Sequence, residues 1–202
     1  MKIQTLITLV SLTGAAFAGP LQFDFTDPKG VNNAVFKLDA PLESINGSAN
    51  GISGRVQFDP AHPGATTGTI KVATKSLTVP NPMMQGHLQG DKWLDAARYP
   101  ESSFTVRSLA NIKTEANVTT ADATGTFTLK GVSKEMTVPV KLTYLADKLG
   151  QRVPNMKGDL LVIRASFQIR RSDFNLMPGQ MEEKVSNAID ITLSIAGAAP
   201  KG

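Results

Sequence analysis

Apolar and polar residues alternate along most of this chain, and the period of two limits what it can build. Leu21, Phe23 and Phe25 alternate with Gln22 and Asp24. Ala34, Phe36 and Leu38 share one face of the next segment, and Ile52, Gly54, Val56 and Phe58 share one face of another. Ile70 and Val72 oppose Lys71 and Ala73, and Phe104 and Val106 oppose Thr105 and Arg107. In the second half, Phe127 and Leu129 precede a run of Met136, Val138, Val140, Leu142 and Tyr144. Then come Ile163, Phe167 and Ile169, and finally Ile189, Ile191, Leu193 and Ile195. Strands with one apolar and one polar face belong to antiparallel sheets that are wet on one side. About eight or nine such strands without a βαβ rhythm predict an all-β sandwich or a closed barrel, and periodicity does not choose between them. Residues 40–50, 145–159 and 173–184 read as loops, and residues 196–202 as a tail. Pro139 gives its strand no N–H and predicts a bulge or an edge there.

Residues 86–100 break the alternation. They hold the only Trp, and Leu88, Trp93, Ala96 and Ala97 recur at helical spacing. A short amphipathic helix is expected, capped by Asp91 and stopped before Pro100, with its aromatic face against the sheet. Leu88, Trp93, Leu94 and Ala97 would then cover one end of the sheet structure. Met83, Met84 and Met177 flank it as flexible apolar side chains suited to a gate, or to plain loop packing.

The N-terminus has the order of a secretory signal: Lys2, an apolar run to Phe17, and Ala16-Phe17-Ala18 as a small-x-small cleavage site. Residues 1–18 are expected to be removed and residues 19–202 to form one domain, periplasmic or secreted. The apolar run is too short for a membrane span. The sequence contains no cysteine, so disulfides, thiolate metal sites and thiol nucleophiles are excluded and the core alone must hold the fold.

Chemistry-bearing motifs are few. The two histidines, His62 and His87, have no neighbouring ligand spacing, and no nucleophile elbow occurs. Asn46-Gly47-Ser48 and Asn117-Val118-Thr119 match the short glycosylation pattern. Asp173 follows Arg170-Arg171 and is expected in an ion pair with them, or else to aim an arginine at an anionic headgroup. Basic residues number 21 against 17 acidic. No basic-aromatic cluster accompanies the excess, which argues against nucleic acid and leaves open a weak attraction to anionic lipid, with transient membrane contact, or to an acidic partner.

Several separated segments resemble the YceI-like family of exported polyisoprenoid-binding proteins. They are Val56-Gln57-Phe58-Asp59-Pro60, His87-Leu88 with Trp93-Leu94-Asp95 and Tyr99-Pro100, and the run from Gly125 to Lys134. Arg171-Ser172-Asp173-Phe174 and Val185-Ser186-Asn187 complete the ordered set. The resemblance implies a lipocalin-like antiparallel barrel of about eight strands, a helix near its mouth and a long apolar tunnel for an isoprenoid chain. It implies no catalytic residues. This sequence departs from the family at Met84-Gln85-Gly86, where charged residues are frequent, and at Asn175, where the family has glycine.

The resulting expectation is a binding or carrier protein, not an enzyme. It would hold an isoprenoid-type lipid or quinone, with no metal and no other cofactor. The candidate lining is Val56, Phe58, Ile70, Val72, Phe104, Val106, Phe127, Leu129, Val138, Val140, Leu142, Ile163, Phe167, Ile169, Ile189, Ile191 and Leu193. Trp93 would sit at the helix–barrel contact. Two alternatives remain at this point: a stress-related interaction protein with a filled barrel, and a hydrolase with a loop residue paired to His87.

Overall fold

The computed structural model describes residues 19–201; the signal-peptide expectation lies outside them. Eleven strands form one antiparallel sheet. They are β1 (Leu21–Asp24), β2 (Asn33–Asp39), β3 (Ser44–Ala49), β4 (Ile52–Phe58), β5 (Thr67–Ala73), β6 (Leu77–Thr78), β7 (Glu101–Glu115), β8 (Val118–Leu129), β9 (Val132–Leu145), β10 (Gly158–Arg170) and β11 (Ala188–Pro200). The order β1-β4-β5-β7-β8-β9-β10-β11 closes on itself through β1 and β11, at Asp24 opposite Ala198. The outcome is an eight-stranded closed barrel, which settles the choice between sandwich and barrel. Strands β2, β3 and β6 continue the sheet from β11, where Asp190–Ser194 pair with β2. No helix among the described residues is long and apolar enough to cross a membrane.

Two apolar clusters divide the interior. At one end Phe23, Phe25, Val56, Phe58, Leu161 and Ile195 pack into a closed floor, with Tyr144 set edge-on to Phe23 at 6.3 Å between ring centres. At the other end Leu94, Leu129, Ile169, Phe174 and Leu176 form a second cluster. This one fills a break in the wall. Strands β9 and β10 pair only from Leu145–Leu160 to Val140–Ala165, whereas β8 and β9 stay in register through Pro139 to the turn. From Pro139 onward β9 therefore has an edge on its β10 side. Phe174 reaches into this region and meets Phe127 edge-on at 5.4 Å.

Three expectations need correction. Residues 44–49 are strand β3, not loop. Its alternating small residues hide the period, and Gly47 is small because the Phe36 ring lies where a Cβ would be, 2.1 Å away. The tail from Ala196 to Pro200 is strand, paired with β10. Its small residues make room for Phe25, whose ring would be 2.7 Å from a Cβ on Gly197. The helix lies earlier than expected. Helix α1 spans Pro82–Gln89, capped by Asn81, whose side chain accepts hydrogen bonds from the amides of Met83 at 2.9 Å and Met84 at 3.2 Å. Residues 91–98 are successive turns. Asp91 accepts from the adjacent Lys92 amide instead of capping, and Asp95 at φ 47° interrupts any helix. Within the loop of residues 145–159 there is one further helical turn, α2 (Leu149–Arg152).

Candidate functional site

Between the floor and the mouth the barrel encloses a cavity of about 880 Å³. That lies in the upper part of the range of roughly 300–1,000 Å³ typical of small-molecule sites. Every residue of the candidate lining borders it except Phe58. Inward-pointing positions of β4, β5, β7, β8, β9, β10 and β11 supply Val56, Ile70, Val72, Phe104, Val106, Phe127, Leu129, Val138, Val140, Leu142, Ile163, Phe167, Ile169, Ile189, Ile191 and Leu193. Alternation delivers them there because successive side chains of a strand point to opposite faces. Phe58 belongs instead to the floor, 1 % exposed, with its ring 6.4 Å from that of Tyr144. Trp93 borders the cavity from the loop after α1, so it meets the barrel, but not from a helix.

Sequence reasoning saw part of the mouth, in Met83, Met84 and Met177, but not the strands that frame it. Phe36, Leu38 and Ile45 line it from β2 and β3, Leu77 lines it from β6, and Val79 from just after that strand. The Phe36–Leu38 alternation signalled an inward face; β3 gave too little apolar signal. Met83, Met84, Met177 and Met181 also border the opening. Of the residues expected to cover this end, Leu94 is buried and Leu88 half-buried, but Ala97 is exposed. Without the helix, the spacing that aligned Ala97 with Trp93 no longer applies.

Two anchors hold the mouth in shape. Gln85 and Gln89 tie α1 to the strand below: both Nε2 groups donate to the Leu77 carbonyl, at 3.0 and 2.8 Å, and Gln85 Oε1 accepts from the Val79 amide at 2.8 Å. The second anchor is Arg171, which is fully buried. Its guanidinium donates to the carbonyls of Leu176 at 2.8 Å, Val185 at 3.1 Å and Ser186 at 3.2 Å, and also to those of Met177 and Gln180. Burial pushes its pKa below the usual arginine value, against the nearby Glu182 charge, which raises it; an arginine stays charged regardless. The guanidinium also lies 5.8 Å from the centre of the Trp93 ring, within cation–π range. Arg171 thus pins the mouth loop of residues 175–187 and the cavity-lining Trp93 at once. The expected ion pair with Asp173 is not formed. Asp173 is exposed, and backbone carbonyls take the place of its carboxylate. Asn175 adopts φ 55° at the end of the Arg171–Phe174 turn, a left-handed conformation that asparagine tolerates better than most side chains.

Polar chemistry in the cavity is sparse. Among the described residues no group of His, Asp and Glu could hold a metal ion. His62 lies away from the cavity, 3.0 Å from Asp59 and largely exposed. His87 stands exposed on α1 at the rim. The charged side chains bordering the cavity are Glu43, Asp91, Lys92 and Lys184, all carried by elements of the mouth.

This architecture recurs in solved proteins. Burkholderia cenocepacia BcnA superposes with a TM-score of 0.64 at 21 % identity, over 82 % of this chain and 94 % of that one. A polyisoprenoid binding domain from Saccharophagus degradans superposes with a TM-score of 0.63 at 13 % identity, over 90 % and 99 % of the two chains. At the sequence level, Protein YceI of Salmonella newport is 26 % identical over 198 residues, which span 98 % of this chain and 96 % of that protein. The YceI-like domain profile matches residues 10–197, nearly the whole length and the eight barrel strands up to the last three residues of β11, and the chain belongs to the YceI-like family.

Proposed function

We propose that this protein is an exported carrier that holds a polyisoprenoid, or a similar isoprenoid-chain lipid, inside the barrel. The observation that carries the reading is the cavity: about 880 Å³, walled by aliphatic and aromatic side chains, with charged groups only at its mouth. Each methylene transferred from water into such a wall gains roughly 0.8 kcal/mol. A long hydrocarbon chain therefore needs few directed polar contacts, and the wall offers few. The polyisoprenoid-binding description of the Saccharophagus degradans domain is consistent with this ligand class. Binding, not catalysis, is the role we assign, because the wall is apolar and the charged residues that border the cavity are confined to its mouth. Export rests on the Ala16-Phe17-Ala18 site; N-terminal sequencing of the exported protein should begin at Gly19.

Mass spectrometry of organic extracts from the purified protein tests the ligand. An isoprenoid-chain lipid should be recovered in near-stoichiometric amount, and Trp93→Ala should retain less of it per folded molecule. Trp93 is only half-buried and borders the cavity, so its truncation should destabilise by less than the ~3–5 kcal/mol of a fully packed aromatic. A wild-type protein that carries no lipid and takes up none when offered a polyprenol would refute the carrier reading.

A further inference from the structure

Three large apolar side chains project into solvent around the cavity mouth: Met83 at 73 % exposure, Leu42 at 65 % and Met181 at 53 %. They come from three separate segments, namely the first turn of α1, the turn between β2 and β3, and the loop that Arg171 pins. Met83 and Met181 are also part of the cavity border. The Leu42 amide donates to the Glu183 carbonyl at 2.9 Å, which fixes that turn beside the Met181 segment. Met84 and Met177 also border the opening, so apolar side chains stand both on the outer rim and on the cavity wall behind it.

We infer that this rim docks reversibly on a lipid bilayer of uncharged or zwitterionic headgroups, so that a chain can pass between bilayer and cavity without crossing water. The inference rests on the carrier reading. A second copy of the chain fits the patch less well. Three side chains expose a few hundred Å² at most, whereas a stable protein interface buries about 800 Å² per partner. Three apolar side chains dipping into an interface suit weak, reversible membrane contact, and methionine adapts its shape to disordered lipid. The charges select the headgroup class. Glu43 and Asp91 border the opening with Lys92 and Lys184, and exposed Glu182 and Glu183 stand between Met181 and Lys184. Acidic groups outnumber basic ones at the rim although the whole chain is net basic, so anionic lipid offers this face no attraction.

The test uses the triple variant Leu42→Ser, Met83→Ser, Met181→Ser and dansyl-labelled farnesol as probe. Wild type should float with phosphatidylcholine vesicles and bind no better when phosphatidylglycerol is added. Its rate of probe uptake should rise with vesicle concentration. The variant should fold normally, and because Met83 and Met181 border the cavity, its affinity for the probe delivered from ethanol is the reference against which its uptake from vesicles is scored. Its vesicle binding and its rate of uptake from vesicles should fall about tenfold or more. Equal vesicle binding by the two proteins, or wild-type uptake independent of vesicle concentration, would overturn docking. So would a dimer in sedimentation velocity that the three serines dissociate. If neither protein binds the probe from ethanol, the carrier reading fails, while flotation still decides docking by itself.

Discussion

Arg171 carries a full charge into a place where backbone carbonyls, not a carboxylate, accept its hydrogen bonds. Five backbone carbonyls surround it, and they belong to a loop with no strand or helix pairing of its own. Removing the guanidinium would leave several buried acceptors unsatisfied, at about 1–3 kcal/mol each where water cannot replace it. Arg171→Met, which retains much of the apolar stem, should therefore lower stability by roughly 3–5 kcal/mol. Lysine should recover only part of this, since three donors on a point charge cannot span a planar fork. Thermal melting of the two variants checks the order; equal melting of methionine and lysine variants would show that packing, not hydrogen bonding, is what Arg171 supplies. The sequence marked this residue, but the natural partner to assign it was Asp173, two positions away. That choice failed because local carboxylates compete with carbonyls that only the folded loop brings within reach.

At the scale of elements, legibility followed the strength of the apolar signal. Strands such as β10, with Leu161, Ile163, Phe167 and Ile169 in phase, were readable because the side-chain period alone identifies them. Strand β3 was not, since Gly47 must be small to receive the Phe36 ring. The helix was misplaced because Leu88, Trp93, Ala96 and Ala97 were grouped by spacing, while the stronger start signal, Asn81-Pro82, stood earlier: an Ncap residue followed by proline at the first helical position. Asn81→Ala should cost about 1 kcal/mol of stability and loosen α1 over the mouth, measurable as faster amide exchange at Met83 and Met84. The β8–β9 turn offers a sharper case. Lys130 and Gly131 both have positive φ, 48° and 73°, as a two-residue hairpin of this twist requires. A Cβ on Gly131 would also lie 2.5 Å from Tyr99 Cε1. Gly131→Ala should thus destabilise by more than the ~1 kcal/mol of a left-handed alanine alone, and pairing it with Tyr99→Ala should recover the excess. No recovery in the double variant would assign the whole cost to the backbone.

The whole molecule has two unlike ends, and they should respond differently to substitution and to pH. The floor is packed aromatics and the wall above it faces a cavity, a difference that periodicity could not show: Phe58 and Phe127 both point inward, yet only Phe127 borders the cavity. Phe58→Ala should cost roughly 3–5 kcal/mol and leave ligand content per folded molecule unchanged. Phe167→Asp, on the wall, should reduce ligand retention more than its effect on melting would suggest, because water admitted by the cavity lessens the cost of the charge.

The floor end also carries the coupled polar groups. Asp159 is almost fully buried. It accepts from Tyr144 Oη and the Asp147 amide, both at 2.8 Å, and pairs with Lys201 Nζ at 2.8 Å. Burial alone would raise its pKa, but those three donors together outweigh it and hold the carboxyl below the usual range. Burial and the Asp159 hydrogen bond push Tyr144 up to about 12. The two shifts act on opposite flanks of the stability profile. A depressed carboxyl contributes stability above its unfolded pKa, near 3.9, and that contribution is lost as pH falls through the lower folded value. A raised phenol contributes below its unfolded pKa of about 10, and that contribution is lost as pH rises from 10 toward 12. Tyr144→Phe should therefore remove its part of the alkaline loss between pH 10 and 12. It should leave most of the acid loss in place, since Asp159 keeps Lys201 and the Asp147 amide. Asp159→Asn should flatten the acid limb and shift the Tyr144 titration back toward 10. Denaturant midpoints measured across pH 2–12 for the three proteins decide it, and an alkaline limb unchanged by Tyr144→Phe would mean that the phenol does not couple to folding.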